Sequence, residues 1–441
     1  MTTEIAIMNK SAVALAADSA VTITLTGPQH SEHKIYNSAN KLFTLSKYCP
    51  VGIMTYGNTT LMGIPWETII KVYRRILGDG NFDYLKGYSD HFFKFLDKFD
   101  VGTQAEHQYV KETAINIFSG IRKELDEVVK KNAKPDKPLS ENNIIKQFQD
   151  LINRNHDELK DVSKQSVLSV QKRTALNKKY TKVINELIDG IFEKLPLTRN
   201  DRAKLARAVI NATSVGPRNQ CGIVIAGFGE KEIFPSCYDF DVAAIFDGNT
   251  IKRDKKENRI THESNAVVIP FAQSDEVCTF MEGIGRYINS FFLRTFSSMM
   301  KKSFPQNIAT AITDKFKLNG KQKQQVQDIV AKMGTGAYDI IAQKLDELKH
   351  EKYIRPVVQA TGFLNKGELA TMAETLVNLV SFRKQVTLEA ETVGGPIDVA
   401  VITKGDGFIW IKRKHYFDAS LNHHFFNNYF SKGIKNEQEK E

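Results

Sequence analysis

Segments with the character of β-strands occur at the start, in the middle and near the end of this 441-residue chain, separated by long helical blocks. They fall roughly within 2–80, 220–295 and 364–413. An isolated two-stranded hairpin is marginally stable at best in water, so these distant strands must pair with one another. The pattern predicts one α+β core interrupted by two large helical insertions, in preference to a string of independent domains.

Short apolar runs rich in β-branched or small residues define the individual strands. The predicted strands cover 4–16 (two strands turned at Asn9-Lys10-Ser11), 20–26, 42–45, 51–55, 221–227, 232–246, 265–271, 397–403 and 407–412. Helical periodicity predicts helices over 275–300 and 364–380, and a further helix after Gly57 with Thr59 or Thr60 as its N-cap. The resulting division is core 1–80, insertion 81–215, core 216–299, insertion 300–362, core 363–415 and tail 416–441.

The composition excludes several classes of protein. Hydrophobic residues make up 41% of the chain and charged residues 25%, which is incompatible with a disordered or collagen-like chain. There is no apolar run long enough to cross a bilayer, nor a secretory leader, so we expect a cytoplasmic protein without membrane contact. Four widely spaced cysteines without a CxxC pair predict neither disulfides nor a zinc site, and the absence of a P-loop motif predicts no bound nucleotide.

The net charge of +10 predicts an attraction for anions, and much of this charge lies in the insertion 81–215. Acidic residues are interspersed with the basic ones there, which is more typical of solvated helix faces than of a nucleic-acid stripe. Nucleic-acid binding by this insertion stays as an alternative.

Three residues of the first 41 suggest chemistry. Removal of Met1 would leave Thr2 with both a free α-amine and a hydroxyl, and the amine can act as the base for its own side chain. Asp18 interrupts a run of small apolar residues, and Lys41 begins an apolar strand, so each needs a partner. An Asp and a Lys at the ends of adjacent strands can pair, and a lysine beside a hydroxyl stabilises an alkoxide.

These residues stand in motifs that resemble a known family. The motifs are TTEIAI from Thr2, AADSAVT around Asp18, NKLF around Lys41, YGNTT around Gly57, and GGPIDVAVIT from Gly394. Their order and spacing are similar to those of proteasome β-subunits and of their bacterial relative, the ATP-dependent HslV-type peptidase. The resemblance covers roughly 180–200 residues of the chain.

The resemblance implies an N-terminal nucleophile (Ntn) hydrolase fold, an αββα four-layer sandwich, and threonine-type endopeptidase activity on polypeptides. It implies Thr2 as the nucleophile, its α-amine as the base, Lys41 as the residue that tunes the hydroxyl, Asp18 as the partner of Lys41, Gly57 N–H as an oxyanion donor and Ser274 as a supporting serine. It also implies a homo-oligomeric ring and a separate AAA+ unfoldase partner, and no cofactor.

Some features depart from the family pattern. Lys34 competes with Lys41 for the lysine role. Ala390 and Val393 stand about where the family has Asp and Ser, so that Glu389, Glu391 or Thr392 would have to substitute. The two insertions have no counterpart in compact family members. The alternatives are therefore a weakly active or inactive scaffold of the same fold, and an amidase for small substrates.

Overall fold

The computed structural model describes residues 2–26, 31–132, 140–193, 195–216, 221–387, 393–415 and 417–424. Most described strands belong to two five-stranded antiparallel sheets, and helices pack around them, which confirms the α+β class. Among the described residues, none of the helices combines the length and apolar character needed to cross a membrane.

The first sheet has the order β12-β1-β2-β13-β14 and draws its strands from all three parts of the core. Its strands are β1 Thr3–Asn9, β2 Val13–Ala17, β12 Ala266–Ala272, β13 Asp398–Thr403 and β14 Gly407–Lys412. In its register, Thr3 lies opposite Ala272 and Ala17 opposite Asp398. The ends of β1, β2, β12 and β13 therefore meet at one edge.

The second sheet has the order β11-β10-β9-β6-β5. Its strands are β5 Leu42–Thr44, β6 Val51–Gly57, β9 Cys221–Gly227, β10 Ser236–Phe246 and β11 Asn249–Arg259. Two small hairpins stand apart from the sheets: β3 Val21–Thr26 with β4 Ser31–Tyr36, and β7 Thr60–Leu61 with β8 Ile64–Pro65.

Alternation along the strands decides where each side chain is buried, because successive residues of a strand point to opposite faces. On β1, Ala6 and Met8 pack against residues of the second sheet, such as Met54 and Val224. Ile5 and Ile7 instead belong to a cluster with one of the helices. The strand is buried on both faces, which explains its nearly continuous apolar sequence.

The helices of the structure are α1 Trp66–Leu77, α2 Leu85–Asp97, α3 Thr103–Asn132, α4 Glu141–Val162, α5 Val170–Phe192, α6 Arg199–Val215, α7 Asp275–Glu282, α8 Arg286–Ser298, α9 Phe304–Phe316, α10 Gly320–Lys349, α11 Arg355–Phe363 and α12 Lys366–Val386. Helices α1 and α2 pack on the outer face of the second sheet. Helix α12 packs on the outer face of the first sheet, with α7 beside it. Each sheet therefore has the other sheet on one face and helices on the other.

The two insertions differ in how they are packed. Helices α3 to α6 enclose an apolar cluster, in which Phe118, Phe148, Tyr180 and Phe192 are buried, and they share it with Phe246 and Ile251 of the second sheet. Helices α8 to α11 begin before the predicted insertion 300–362 and include it; none of the side chains of α8 is buried, and α10 buries only Gly334. These helices expose many large apolar side chains, among them Phe316 and Met333.

Most strands predicted from the sequence lie within one or two residues of their predicted bounds, but several elements differ. Strand β4 was not predicted, and the strand predicted over 232–246 begins at Ser236. The N-cap predicted at Thr59 or Thr60 is wrong: the β7–β8 hairpin follows Gly57, turned by Gly63 at φ +84°, and α1 begins only after Pro65. Proline fits there because it lacks an N–H to donate. The single helix predicted over 275–300 is interrupted, because Gly283 adopts a left-handed conformation that ends α7.

Strand β11 escaped prediction because most of its side chains are polar, as expected of an exposed edge strand. The sequence did carry a signal for it. Asp247-Gly248 joins β10 to β11 with φ +52° and +66°, and an Asp-Gly pair between two extended runs is typical of a tight hairpin.

We expect Gly222→Ala to lower the free energy of unfolding by about 1–3 kcal/mol, the usual cost of overpacking a well-packed interior. A Cβ at this position would lie 1.9 Å from Cζ of the Tyr56 ring, and Tyr56 is held by a hydrogen bond from its hydroxyl to Asp239 (2.7 Å). Denaturant unfolding followed by circular dichroism measures the change. The matched control is Gly190→Ala in α5, where the new methyl meets nothing within 4 Å. Equal unfolding midpoints for the two variants would contradict the packing described.

Candidate functional site

The backbone of Thr2 is fixed at the edge of the first sheet where four strands end. Thr3 pairs with Ala272, and the Gln273 N–H donates to the carbonyl oxygen of Thr2 (3.1 Å). The hydroxyl of Thr2 is consequently held at the entrance between the two sheets, on the same face of β1 as Ala6 and Met8.

Asp18 follows the last residue of β2 and accepts hydrogen bonds from remote parts of the chain. Its carboxylate receives the N–H groups of Thr3 (3.1 Å), Ala20 (3.2 Å) and Gly394 (3.1 Å), as well as the ammonium of Lys41 (2.5 Å). Four donors satisfy both oxygens of a carboxylate that is buried from solvent. Asp18 therefore positions the start of β1, the Gly394-Gly395 turn and Lys41 relative to one another.

Lys41 is only 1% exposed and lies between two carboxylates. Its Nζ is 2.5 Å from Oδ1 of Asp18 and 3.5 Å from Oε1 of Glu4. Lys34, the other lysine considered for this role, is exposed and its Nζ lies over the ring of Tyr36 (5.3 Å). The choice of Lys41 over Lys34 therefore agrees with the geometry.

Glu4 belongs to this cluster but was not identified from the sequence. Its side chain is 0% exposed, and its Oε2 accepts a hydrogen bond from the hydroxyl of Thr2 (3.1 Å). Burial raises the pKa of Glu4 to about 8, an effect that the Asp18 charge increases and the Lys41 charge opposes. A carboxylate inside the apolar run of β1 was the available signal, and the same argument that singled out Asp18 applies to it.

Gly57 ends β6 with φ +82°, a left-handed conformation that favours glycine, and its N–H points at the hydroxyl of Thr2 (3.4 Å). The structure thus brings together four of the five residues expected from the sequence: Thr2, Asp18, Lys41 and Gly57. A hydroxyl that receives a backbone N–H, in a cluster with a buried ammonium, is a combination that can support attack on a carbonyl carbon.

Ser274, the fifth residue, follows Gln273, whose N–H binds Thr2, but it lies outside this network. It precedes α7, and the hydrogen bond made by its hydroxyl comes from Arg286 (3.1 Å). Val393 is buried against α12 and offers no hydroxyl. Ala390 and the proposed substitutes Glu389, Glu391 and Thr392 lie outside the described residues.

Other reactive groups among the described residues lack the features of a site. Burial strongly raises the pKa of the Cys221 thiol, which keeps it protonated, so it is not a nucleophile. Cys221 also packs in the apolar cluster beneath α1. Within the described ranges, no group of three or more His, Cys, Asp and Glu side chains has the arrangement needed to bind a metal ion.

Comparison with known proteins does not assign the chain to a family. No protein-family model matches the sequence, and no curated protein matches it.

We expect Lys41→Met to lower the free energy of unfolding by about 3–5 kcal/mol, because it leaves two buried carboxylates without their cation. Denaturant unfolding at pH 7.5 measures the loss. The control is Lys71→Met: Lys71 is 52% exposed and pairs with Glu67 (2.5 Å) on the surface of α1. Loss of an exposed pair costs about 1 kcal/mol or less. Similar losses of unfolding free energy in the two variants would contradict the conclusion that the buried Lys41 is essential to the structure.

Proposed function

We propose that this protein is an Ntn hydrolase of the threonine type, which cleaves peptide bonds with Thr2 as its nucleophile after Met1 is removed. One observation carries the proposal. The hydroxyl of Thr2 lies in hydrogen-bond reach of the Gly57 N–H and donates to Glu4, whose Oε1 is 3.5 Å from Nζ of the buried Lys41. The two stacked sheets with helices on their outer faces support the αββα architecture that this assignment requires.

In the proposed reaction, the Thr2 hydroxyl passes its proton to the α-amine of the same residue and attacks the carbonyl carbon of the substrate. The carbonyl π-electrons move to oxygen, and the Gly57 N–H stabilises this oxyanion, which is worth about 10²–10³ in rate for one well-placed donor. The C–N bond breaks as the protonated α-amine returns this proton to the leaving amine, leaving an ester on Thr2 Oγ1. Water then hydrolyses the ester, releases the acid and restores the hydroxyl.

Lys41 lowers the free energy of this step electrostatically. Its positive charge, held in a site from which water is excluded, favours the developing negative charge on Thr2 Oγ1. Asp18 holds the ammonium in place and, through the Thr3 N–H, holds the start of β1 as well. As part of the proposal we place this activity in the cytoplasm, because all four cysteines are free, buried thiols.

A second candidate is a scaffold or regulatory module that has the same fold without activity. Val393, an apolar residue about where the family has Ser, favours it. The labelling experiment below decides between the two functions.

We expect a peptide β-lactone to acylate the purified protein once, on Thr2. Intact-mass measurement detects the adduct, tandem mass spectrometry locates it, and N-terminal sequencing verifies that Met1 has been removed. Thr2→Ala should abolish labelling, whereas Thr2→Ser, which keeps a hydroxyl and an α-amine, should be labelled. A folded, Met1-free protein that is not acylated would leave the scaffold as the function.

We also propose that the chain forms a homo-oligomer through helices α8 to α11. Helix α8 exposes apolar side chains along one face, among them Tyr287 (82% exposed) and Phe291 (61% exposed). Exposed apolar surface of this kind marks interaction sites, and a second copy of the chain is the partner that the family resemblance implies.

Light scattering coupled to size-exclusion chromatography should give a mass that is a multiple of 49.8 kDa. We expect Phe291→Glu to shift this mass towards that of the monomer, because a carboxylate cannot be buried in an apolar interface without a partner. The control is Ile233→Glu, at a position that is 75% exposed and lies outside helices α8 to α11. A monomeric wild-type protein would contradict the oligomer.

A further inference from the structure

Glu4 occupies a position where an apolar side chain would be expected. It lies on the same face of β1 as Ala6 and Met8, which pack between the two sheets. Removing a carboxylate from water into such surroundings is costly unless its partners compensate. A charged residue kept at this position therefore needs a role that an apolar residue could not fill.

The partners of Glu4 indicate that role. Residues i and i+2 of a strand share a face, so Glu4 stands directly beside Thr2, and its Oε2 accepts the hydrogen bond of the Thr2 hydroxyl (3.1 Å). Its other oxygen, Oε1, is buried, faces Nζ of Lys41 at 3.5 Å and accepts no hydrogen bond from the described residues. Glu4 is thus the carboxylate that touches the proposed reacting atom, while Asp18 touches Lys41 and the backbone.

The charges around Glu4 keep its affinity for a proton high. The titratable groups that interact with it among the described residues are Lys41, Asp18, Tyr56 and Cys221. One ammonium cannot neutralise two carboxylates, and Asp18 makes the closer contact with it. Burial and the Asp18 charge raise the pKa of Glu4 to about 8, close to the operating range that suits a general base near neutral pH.

We propose that Glu4 is a catalytic proton acceptor for the Thr2 hydroxyl, acting alongside or in place of the α-amine. The inference rests on the proposed threonine-hydrolase function. As Thr2 Oγ1 bonds to the substrate carbonyl carbon, its proton passes to Oε2 of Glu4. The carbonyl π-electrons go to the oxyanion, and when the C–N bond breaks, Glu4 returns the proton to the leaving amine. In the second half, Glu4 accepts a proton from water and gives it to Thr2 Oγ1 as the ester is cleaved.

The experiment compares the rate of Thr2 acylation by the same β-lactone in Met1-free wild-type protein, Glu4→Gln and Glu4→Asp. Glu4→Gln keeps the size of the side chain but removes its basicity, and we expect it to lower the acylation rate by at least about 100-fold. Glu4→Asp keeps a carboxylate one methylene shorter, so its loss should be smaller. The wild-type rate should rise as the pH passes upward through about 8, since only the ionised carboxylate of Glu4 can accept the proton.

The matched control is Glu106→Gln in α3, where a half-buried carboxylate accepts a hydrogen bond from the Asp247 N–H (2.9 Å) far from Thr2 in the fold. It should be acylated at the wild-type rate, and thermal unfolding should show that all variants are folded. If the wild type is acylated and Glu4→Gln reacts within threefold of it, the role of Glu4 is overturned while the proposed function stands. If folded wild-type protein is not acylated at Thr2 at all, the proposed function fails and this inference fails with it.

Discussion

The contact between the Lys41 ammonium and the Asp18 carboxylate is the interaction on which the rest of the site depends. Asp18 follows β2 of the first sheet and Lys41 precedes β5 of the second, so the pair connects the two sheets at their common edge. The same carboxylate binds the N–H of Gly394, a residue 376 positions further along the chain. The buried carboxylate of Asp18 thus holds together the start of β1, the start of β5 in the second sheet, and the Gly394 turn in the last part of the core.

This arrangement has an electrostatic consequence. A buried ion pair is stable only if the remaining oxygens and protons find partners, and Asp18 meets that condition with three backbone N–H groups. Glu4 has no such set of donors, and burial raises its pKa. The two carboxylates therefore differ in kind: one anchors the ammonium, and the other is positioned to exchange a proton with Thr2. Environments that separate the properties of two neighbouring acids are typical of sites that carry out acid–base chemistry.

The strands could be predicted well because β-branched and small apolar residues dominate them, and because each is bounded by turn residues. The motifs around Thr2, Asp18, Lys41 and Gly57 predicted that these four residues lie close together. Glu4 was missed because Thr3 and Ile5 on either side of it are typical strand residues. Its contact with Thr2 also depends on which face of β1 it occupies, and the motifs do not indicate this face. The position of Ser274 outside the network could not be predicted, because its hydroxyl accepts a hydrogen bond from Arg286, twelve residues further along the chain, and no motif indicates this contact.

The core can accommodate such long insertions because the entropic cost of closing a loop grows slowly with loop length, by only about 0.6 kcal/mol of free energy for each doubling. The first insertion adds little further cost, because helices α3 to α6 bury an apolar cluster that they share with the ends of β10 and β11. Helices α8 to α11 have less of this compensation, since α8 buries none of its side chains and α10 only Gly334. Yet they lie between β12 and β13, two strands that the first sheet requires. Exposed apolar surface of this kind marks interaction sites, and this is the physical ground for the homo-oligomer that we propose.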